Sequence, residues 1–415
     1  MTKYKKVTKC RLCNFRSFDK IINFGKVPLG NNLQYKKKLS KSADQFPLSL
    51  IKCKKCSHYQ LSAMVNPSLL YATNYSYLTG VAPSFHLHFA DYSNWIEKIC
   101  NLDNNSKILD IGSNDGTCLL KFKKGHRMLL GVDPAKLPAK IANSKKINTI
   151  NDFFSFQVKN KIKKNYGEFD FITSHNVLAH IEDIEDAFLN IYDLVRINGY
   201  FCFEVGYFIE VIKNNYFDTI YHEHLDYHHA KPLVLFLQKI GFSILSIHKN
   251  KIQGGSIRIL CKKENKIKVA KQVKDFLSNE NQFMNFHSRE IFSWERQIKK
   301  NLISLKKYLA ELHSEGKTIA GYGAPTKATL LIKMLKLDTK VIKYIFEDND
   351  LKVDRYLPSS GIKIVSSSVL KKKCPDVMII FAWNFVSDII EKLKQKKIEN
   401  IELLIPLPTF KKIKL

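Results

Sequence analysis

The run at 107–116, "KILDIGSNDG", constrains this chain more than any other feature. Its apolar start reads as a buried strand, Gly112 breaks that strand, and Gly116 opens a helix. Glycine at these points lets the backbone pass close to a ligand at the helix N-terminus. The surrounding chain repeats the theme. "RMLLGVD", "FDFITSHN" and "GYFCFEVG" are further short strands between helical segments. This alternation predicts a parallel, doubly wound sheet over 106–262. The stretch closes with "FSILSIHKN" and "GSIRILCKK", which read as an antiparallel pair at the sheet edge.

The loop itself narrows the ligand. Asp133 in "GVDPA" follows Gly112 by 21 residues, the distance at which a carboxylate holds ribose hydroxyls. The pattern is GxNxG and not GxGxxG. Lacking a second close-approach glycine, it disfavours a pyrophosphate and suits S-adenosylmethionine. The cofactor candidates are Gly112, Asn114, Gly116 and Asp133. Asp152 and Phe153 of "NDFFS" fall where the third strand ends, and Ser174 and Asn176 follow "FDFIT". A generic Rossmann-type sheet with a decorative loop is the bland alternative.

At 415 residues the chain exceeds one hydrophobic core, which rarely grows beyond roughly 250–300 residues. The net charge of +29 raises nucleic acid, anionic membranes and anionic small molecules as partners. Yet 59 of the 67 basic residues are Lys, and Arg is the usual base-edge reader. The bias fits an AT-rich coding genome, and a phosphorylated small substrate better than a duplex. No apolar run approaches the roughly 20 residues of a membrane span, and "MTKYKKVTKC" has no secretory core. The nine cysteines are odd in number and mostly scattered, which points to a reducing cytoplasm rather than a disulfide framework. Cys10, Cys13, Cys53 and Cys56 stand apart as two CxxC pairs. Four thiolates satisfy tetrahedral zinc with no open position, so the expected site is structural. Unligated thiols or a redox pair are the alternatives.

"YHEHLDYHH" at 221–229 holds four of the 13 histidines. A histidine can take a proton near neutrality and a neighbouring Glu or Tyr can orient it. A metal site at His222-x-His224 and a solvated loop are the rival readings. Tyr75, Tyr77 and His180 are weaker candidates. A second glycine turn, "TIAGYGAPTKAT", places Gly321, Tyr322 and Gly323 after a strand, with Lys327 following. Its backbone amides and Lys327 could cradle a diphosphate. Pro325 removes one of those donors.

In combination, CxxC…CxxC, "LDIGSNDGT", "NVLAHIED", "YHEH", "GGSIRI", "GYGAPTKATLL" and "DRYLPSSGIKI" resemble the three-domain S-adenosylmethionine-dependent C-methyltransferases of deoxysugar biosynthesis. The resemblance spans nearly the whole chain. It implies an N-terminal zinc-binding region, a methyltransferase domain, and a Rossmann-like C-terminal domain, with a nucleotide-diphosphate sugar held between the last two. It implies His224 as general base, Tyr221 and Glu223 in the same site, His180 nearby, and one of Tyr75 or Tyr77 as an N-terminal aromatic. Gly321, Tyr322, Gly323, Lys327 and Arg355 are the substrate candidates. Two departures, Gln253 where the family commonly has His and "APTKA" where small residues are more usual, bear on the sugar and nucleotide.

The expected architecture is α/β. A zinc module occupies 1–66. A Rossmann-like methyltransferase domain occupies 67–262, with a helical lead-in over 67–105. Connecting helices and a second Rossmann-like domain occupy 263–415. The rivals are an O- or N-methyltransferase, a zinc-ribbon nucleic-acid binder, and an NAD-dependent sugar enzyme using the C-terminal turn.

Overall fold

The computed structural model describes residues 2–71 and 78–415. Its largest sheet has seven strands. Lys107–Ile111 lies centrally, flanked on one side by Met128–Val132 and Asn148–Ile150. On the other side lie Phe169–His175 and Val195–Gly206, all five parallel. The expected edge pair completes the sheet. Ser256–Lys263 inserts antiparallel against Val195–Gly206, and Phe242–Asn250 takes the edge. Runs such as Phe201, Cys202 and Phe203 are buried on both faces, as a helix-covered parallel sheet requires. The intervening helices are locally specified. Ser155 and Asp183 cap theirs by accepting from the Val158 and Asp186 amides.

A second, six-stranded sheet carries the C-terminal glycine turn. Ile319–Tyr322 lies between Tyr344–Glu347 and Val377–Ile380, all parallel. Lys363–Ser366 and the terminal Lys411–Lys414 extend the two edges. The Lys/Glu-rich connection forms two helices, Lys271–Phe286 and Ser288–Ser314. Ile291, Trp294, Ile298, Leu302, Leu305, Leu309 and Leu312 make the buried stripe of the longer one.

The N-terminal module is largely sheet, which the CxxC pairs alone do not imply. Phe18–Pro28 and Gln45–Cys53 pair antiparallel and form, with Tyr59–Leu61, most of a four-stranded sheet. The fourth strand is Asp226–Tyr227, from within the histidine-rich run. Its alternation was hidden by lysines and by two register shifts in the first strand pair. Cys10, Leu12, Cys53 and Cys56 share one buried cluster with Val205 of the seven-stranded sheet and with Leu178 and Phe236 of helical segments packed on it.

Candidate active site

The histidine-rich run places its first half in a junction. His224 Nδ1 lies 3.1 Å from the Thr219 carbonyl, which can only accept, so Nδ1 carries the hydrogen. That leaves a lone pair on Nε2, which lies 2.8 Å from the Tyr221 hydroxyl. Burial, reinforced by His180, lowers His224 to about 3, so the ring is neutral at pH 7. His180 stands edge-on to it, ring centroids 4.9 Å apart, and its Nδ1 donates to the Glu223 carbonyl at 2.7 Å. Burial pushes the Glu223 carboxyl up to about 7, although the Asn31 amide donating to it at 3.2 Å works the other way. His222 is turned away and donates to the Phe46 carbonyl. The structure thus brings Tyr221, Glu223, His224 and His180 together. It does not bring His222 and His224 into a metal-ligand pair. Tyr75 and Tyr77 lie outside the described residues.

Asn31 was not legible as a site residue. It bridges Glu223 and the Thr326 hydroxyl, which donates to it at 2.7 Å. Three parts of the chain therefore meet at one amide. The preceding glycine makes this possible: a Cβ on Gly30 would lie 2.3 Å from the Thr326 carbonyl oxygen. "LGNNL" was the only trace of this in the sequence.

The first glycine loop has Gly112, Asn114 and Gly116 all in the left-handed region. Asp133 accepts from the Asn114 and Ala135 amides at 2.9 and 2.8 Å. Asp152 and the half-exposed Phe153 follow the Asn148–Ile150 strand. Asn176 is also left-handed, just past the Phe169–His175 strand. Ser174 is fully buried and donates to the Ile111 carbonyl, so its hydroxyl is spent on joining two strands. From above, the Thr79 and Gly80 amides donate to Asn114 and Asp115. Beside the loop lies an ensemble that spacing did not reveal. Glu204 accepts from His88, His175 and Arg258 at 2.7, 3.1 and 2.7 Å. Its carboxyl is held well below the usual range: burial works against this, and the histidines and Arg258 outweigh it.

The second glycine turn is built differently from the expected cradle. The Ala324 amide donates to Glu347 at 2.8 Å, Pro325 has no N–H, and Lys352 closes on the Ala324 carbonyl. Gly321 is packed within its strand, where a Cβ would lie 2.6 Å from Phe381. Tyr322 donates to Asp348. A cleft of about 420 Å³ opens here, lined by Tyr322, Gly323, Glu347, Asp348, Lys352 and Lys392 among others. Lys327 and Arg355 are not in it. The Lys327 ammonium lies 3.6 Å from the Trp383 ring centre and faces buried Asp218, next to Thr219. Arg355 stacks on Tyr35 at 3.7 Å. The turn and its two cations therefore form separate features.

Family models described as "Methyltransferase domain", "C-methyltransferase C-terminal domain" and "Putative zinc binding domain" match residues 85–247, 251–408 and 10–71, in that order. "C-methyltransferase NovU" of Streptomyces niveus is 28% identical over 408 residues, covering 97% of this chain and 96% of its own. The chain is an S-adenosylmethionine-dependent methyltransferase, similar along nearly its whole length to a C-methyltransferase. Among solved structures, a methyltransferase from Clostridium acetobutylicum is 14% identical to this enzyme, with 43% of this chain and 92% of that chain covered at a TM-score of 0.35. Magnesium protoporphyrin IX methyltransferase of Synechocystis PCC 6803 is 14% identical, with 43% and 79% covered at 0.32.

The enzyme's own residues fit both implied groups. Asp110 Oδ1 and Ser113 Oγ are buried beside the first loop with no partner among the described residues. A Cβ on Gly112 would lie 2.1 Å from Val177. Such a loop suits S-adenosylmethionine. The four thiols of the CxxC pairs lie within 4.8 Å of one another, with Cys10–Cys56 and Cys13–Cys53 sulfurs 3.6 and 3.5 Å apart. Tetrahedral zinc with bonds of about 2.3 Å sets neighbouring sulfurs about 3.8 Å apart, so the donor set fits. No helix among the described residues is long and apolar enough to cross a membrane.

Proposed function

We propose that the enzyme methylates a carbon of a nucleotide-diphosphate-linked 4-keto deoxysugar, with His224 as general base. The observation that carries this reading is the His224 ring. Its tautomer is set by the Thr219 carbonyl, and its Nε2 lone pair faces the Tyr221 hydroxyl. A ketone makes the adjacent C–H acidic. Nε2 takes that proton, and the electron pair passes to the ketone oxygen as an enolate. Tyr221, displaced from Nε2, is the candidate donor to that oxygen. When bound, S-adenosylmethionine would supply an electrophilic methyl group to the enolate carbon, its S–CH3 bond breaking and S-adenosylhomocysteine leaving as the neutral thioether. The cofactor residues are Gly112, Asn114, Gly116, Asp133, Asn176, Asp152 and Phe153. Lys327, half-buried over Trp383 and facing Asp218, is the reader we assign to the diphosphate. The cleft beside Gly323 is the remaining place for the nucleoside.

The test is His224→Gln with a panel of nucleotide-linked 4-keto deoxysugars. Positioned acid–base groups contribute about 10²–10⁴ in rate. Solvent deuterium exchange beside the ketone and methylation are both expected to fall by that order. Exchange at the wild-type rate would assign the base elsewhere.

A further inference from the structure

The two histidines of the junction arrive on different segments, 180 after a strand and 224 within the histidine-rich run. One side chain ties both segments together, and it comes from inside the first zinc knuckle. Arg11 Nε donates to both Asp226 oxygens, at 2.8 and 3.0 Å. Its Nη1 donates to the Glu182 carbonyl at 2.8 Å, and its Nη2 to the Ile181 carbonyl. Asp226 is two residues past His224, and Ile181 directly follows His180. The Arg11 side chain is only 5% exposed.

The knuckles in turn hold Arg11. Its amide donates to the Gln60 side chain at 2.9 Å, and it sits between Cys10 and Cys13. The second knuckle grips the same segment. His58 lies 2.8 Å from Asp226 and stacks on His228, and the Ser57 carbonyl accepts from His229 at 3.0 Å. Backbone pairing finishes the arrangement: Leu61 donates to the Leu225 carbonyl and Leu225 to the Ala179 carbonyl, at 2.9 and 2.8 Å. A planar guanidinium is the group that can address a carboxylate and two carbonyls at once with fixed angles.

We infer that Arg11 is a positioning residue that sets the register between His180 and His224, so that the zinc knuckles hold the active-site histidines in place. The inference rests on reading His224 as the base, yet its geometric part can be tested separately. Arg11→Gln and Arg11→Lys are compared in the zinc-replete full chain. Four thiolates remain, so zinc content and S-adenosylhomocysteine affinity are expected within about twofold of wild type. With the keto sugar as substrate, kcat is expected to fall about 10- to 100-fold in Arg11→Gln, as small misplacements do. KM changes little, and Arg11→Lys recovers part of the loss. In ¹⁵N-histidine spectra the His224 ring signal, assigned by its loss in His224→Gln, shifts or broadens in Arg11→Gln.

An unchanged His224 signal and unchanged kcat in zinc-replete Arg11→Gln overturn the inference. If that variant loses zinc, Asp226→Asn, which keeps all four thiols and removes the carboxylate that Arg11 Nε holds, decides instead. An intact His224 signal there together with wild-type kcat also overturns it. If the wild type turns over no keto sugar, the proposed function fails, and the spectra alone decide the positioning.

Discussion

The two glycine turns share a local signature and differ in what their polar groups meet. In both, a glycine ends a parallel strand, and the acid at the end of the next strand accepts a turn amide, Asp133 in one and Glu347 in the other. The first turn still leaves Asp110 Oδ1 and Ser113 Oγ buried without a partner among the described residues, and three of its residues are left-handed. The second is closed by Glu347, Pro325 and Lys352 around Ala324. Both turns spend backbone amides within the fold, Gly112, Ser113, Asn114 and Gly116 in the first and Gly323 and Ala324 in the second, so the difference lies in the side-chain groups that the first turn leaves unpartnered among the described residues. At the C-terminal turn, the Lys327 side chain leaves the turn and lies over Trp383.

The strongest way to break this contrast is a methyl group at each turn. Gly112→Ala forces a Cβ into φ +75° and to 2.1 Å from Val177. Strain of about 2–3 kcal/mol corresponds to S-adenosylhomocysteine affinity lower by on the order of 100-fold, measured by calorimetry. Gly323→Ala meets φ +82° and Ala382 at 2.5 Å. It is expected to lower the melting temperature while the folded protein keeps that affinity within about twofold. Equal loss of cofactor binding in both variants would remove the distinction.

A smaller, crossed effect sharpens it. Lys327→Met removes the ammonium that lies over Trp383. It is expected to raise KM for the nucleotide-linked substrate about tenfold, with cofactor affinity unchanged. Asp133→Asn is expected to do the reverse, by a similar factor. Nucleoside-diphosphate binding that ignores Lys327 would move the phosphate site to the cleft beside Gly323.

The smallest effect is a pH dependence. Burial raises Glu223 to about 7, so the fold favours its neutral form. Its contribution to stability is present below pH about 4.5 and is lost as pH rises through about 7. A carboxylate beside the forming enolate opposes it, so kcat is expected to decline above pH 7. Glu223→Gln is expected to change kcat only a few-fold at pH 6 and to abolish that decline. A decline that survives in Glu223→Gln would assign it to another group.

Much of this molecule was readable before any coordinates. Strands at 107–111, 128–132 and 169–175 were visible because a doubly buried strand is a short apolar run closed by punctuation. The CxxC pairs were visible because a knuckle needs its two ligands close in sequence. Tyr221, Glu223 and His224 lie within four residues and read as a cluster. The N-terminal sheet was not legible, since its strands carry lysines on a solvated face and its last strand comes from residue 226. Lys327 was named, but its direction was not: a lysine after a glycine turn points toward phosphate in one setting and over a tryptophan in another.

What the sequence determined by itself are the local patterns: alternating strands and helices, two glycine turns, paired thiolates, and a dense histidine run. Their spacing of a few residues is set by backbone geometry alone. Only the tertiary structure decided that Glu347 fills the second turn, that Asn31 joins Glu223 to Thr326, and that Arg11 holds residues 171 and 215 positions away. Such contacts depend on which buried surfaces meet when the sheets pack. No local periodicity encodes that choice, because a buried arginine or asparagine is stabilised by whichever distant carbonyls and carboxylates the packed chain brings to it.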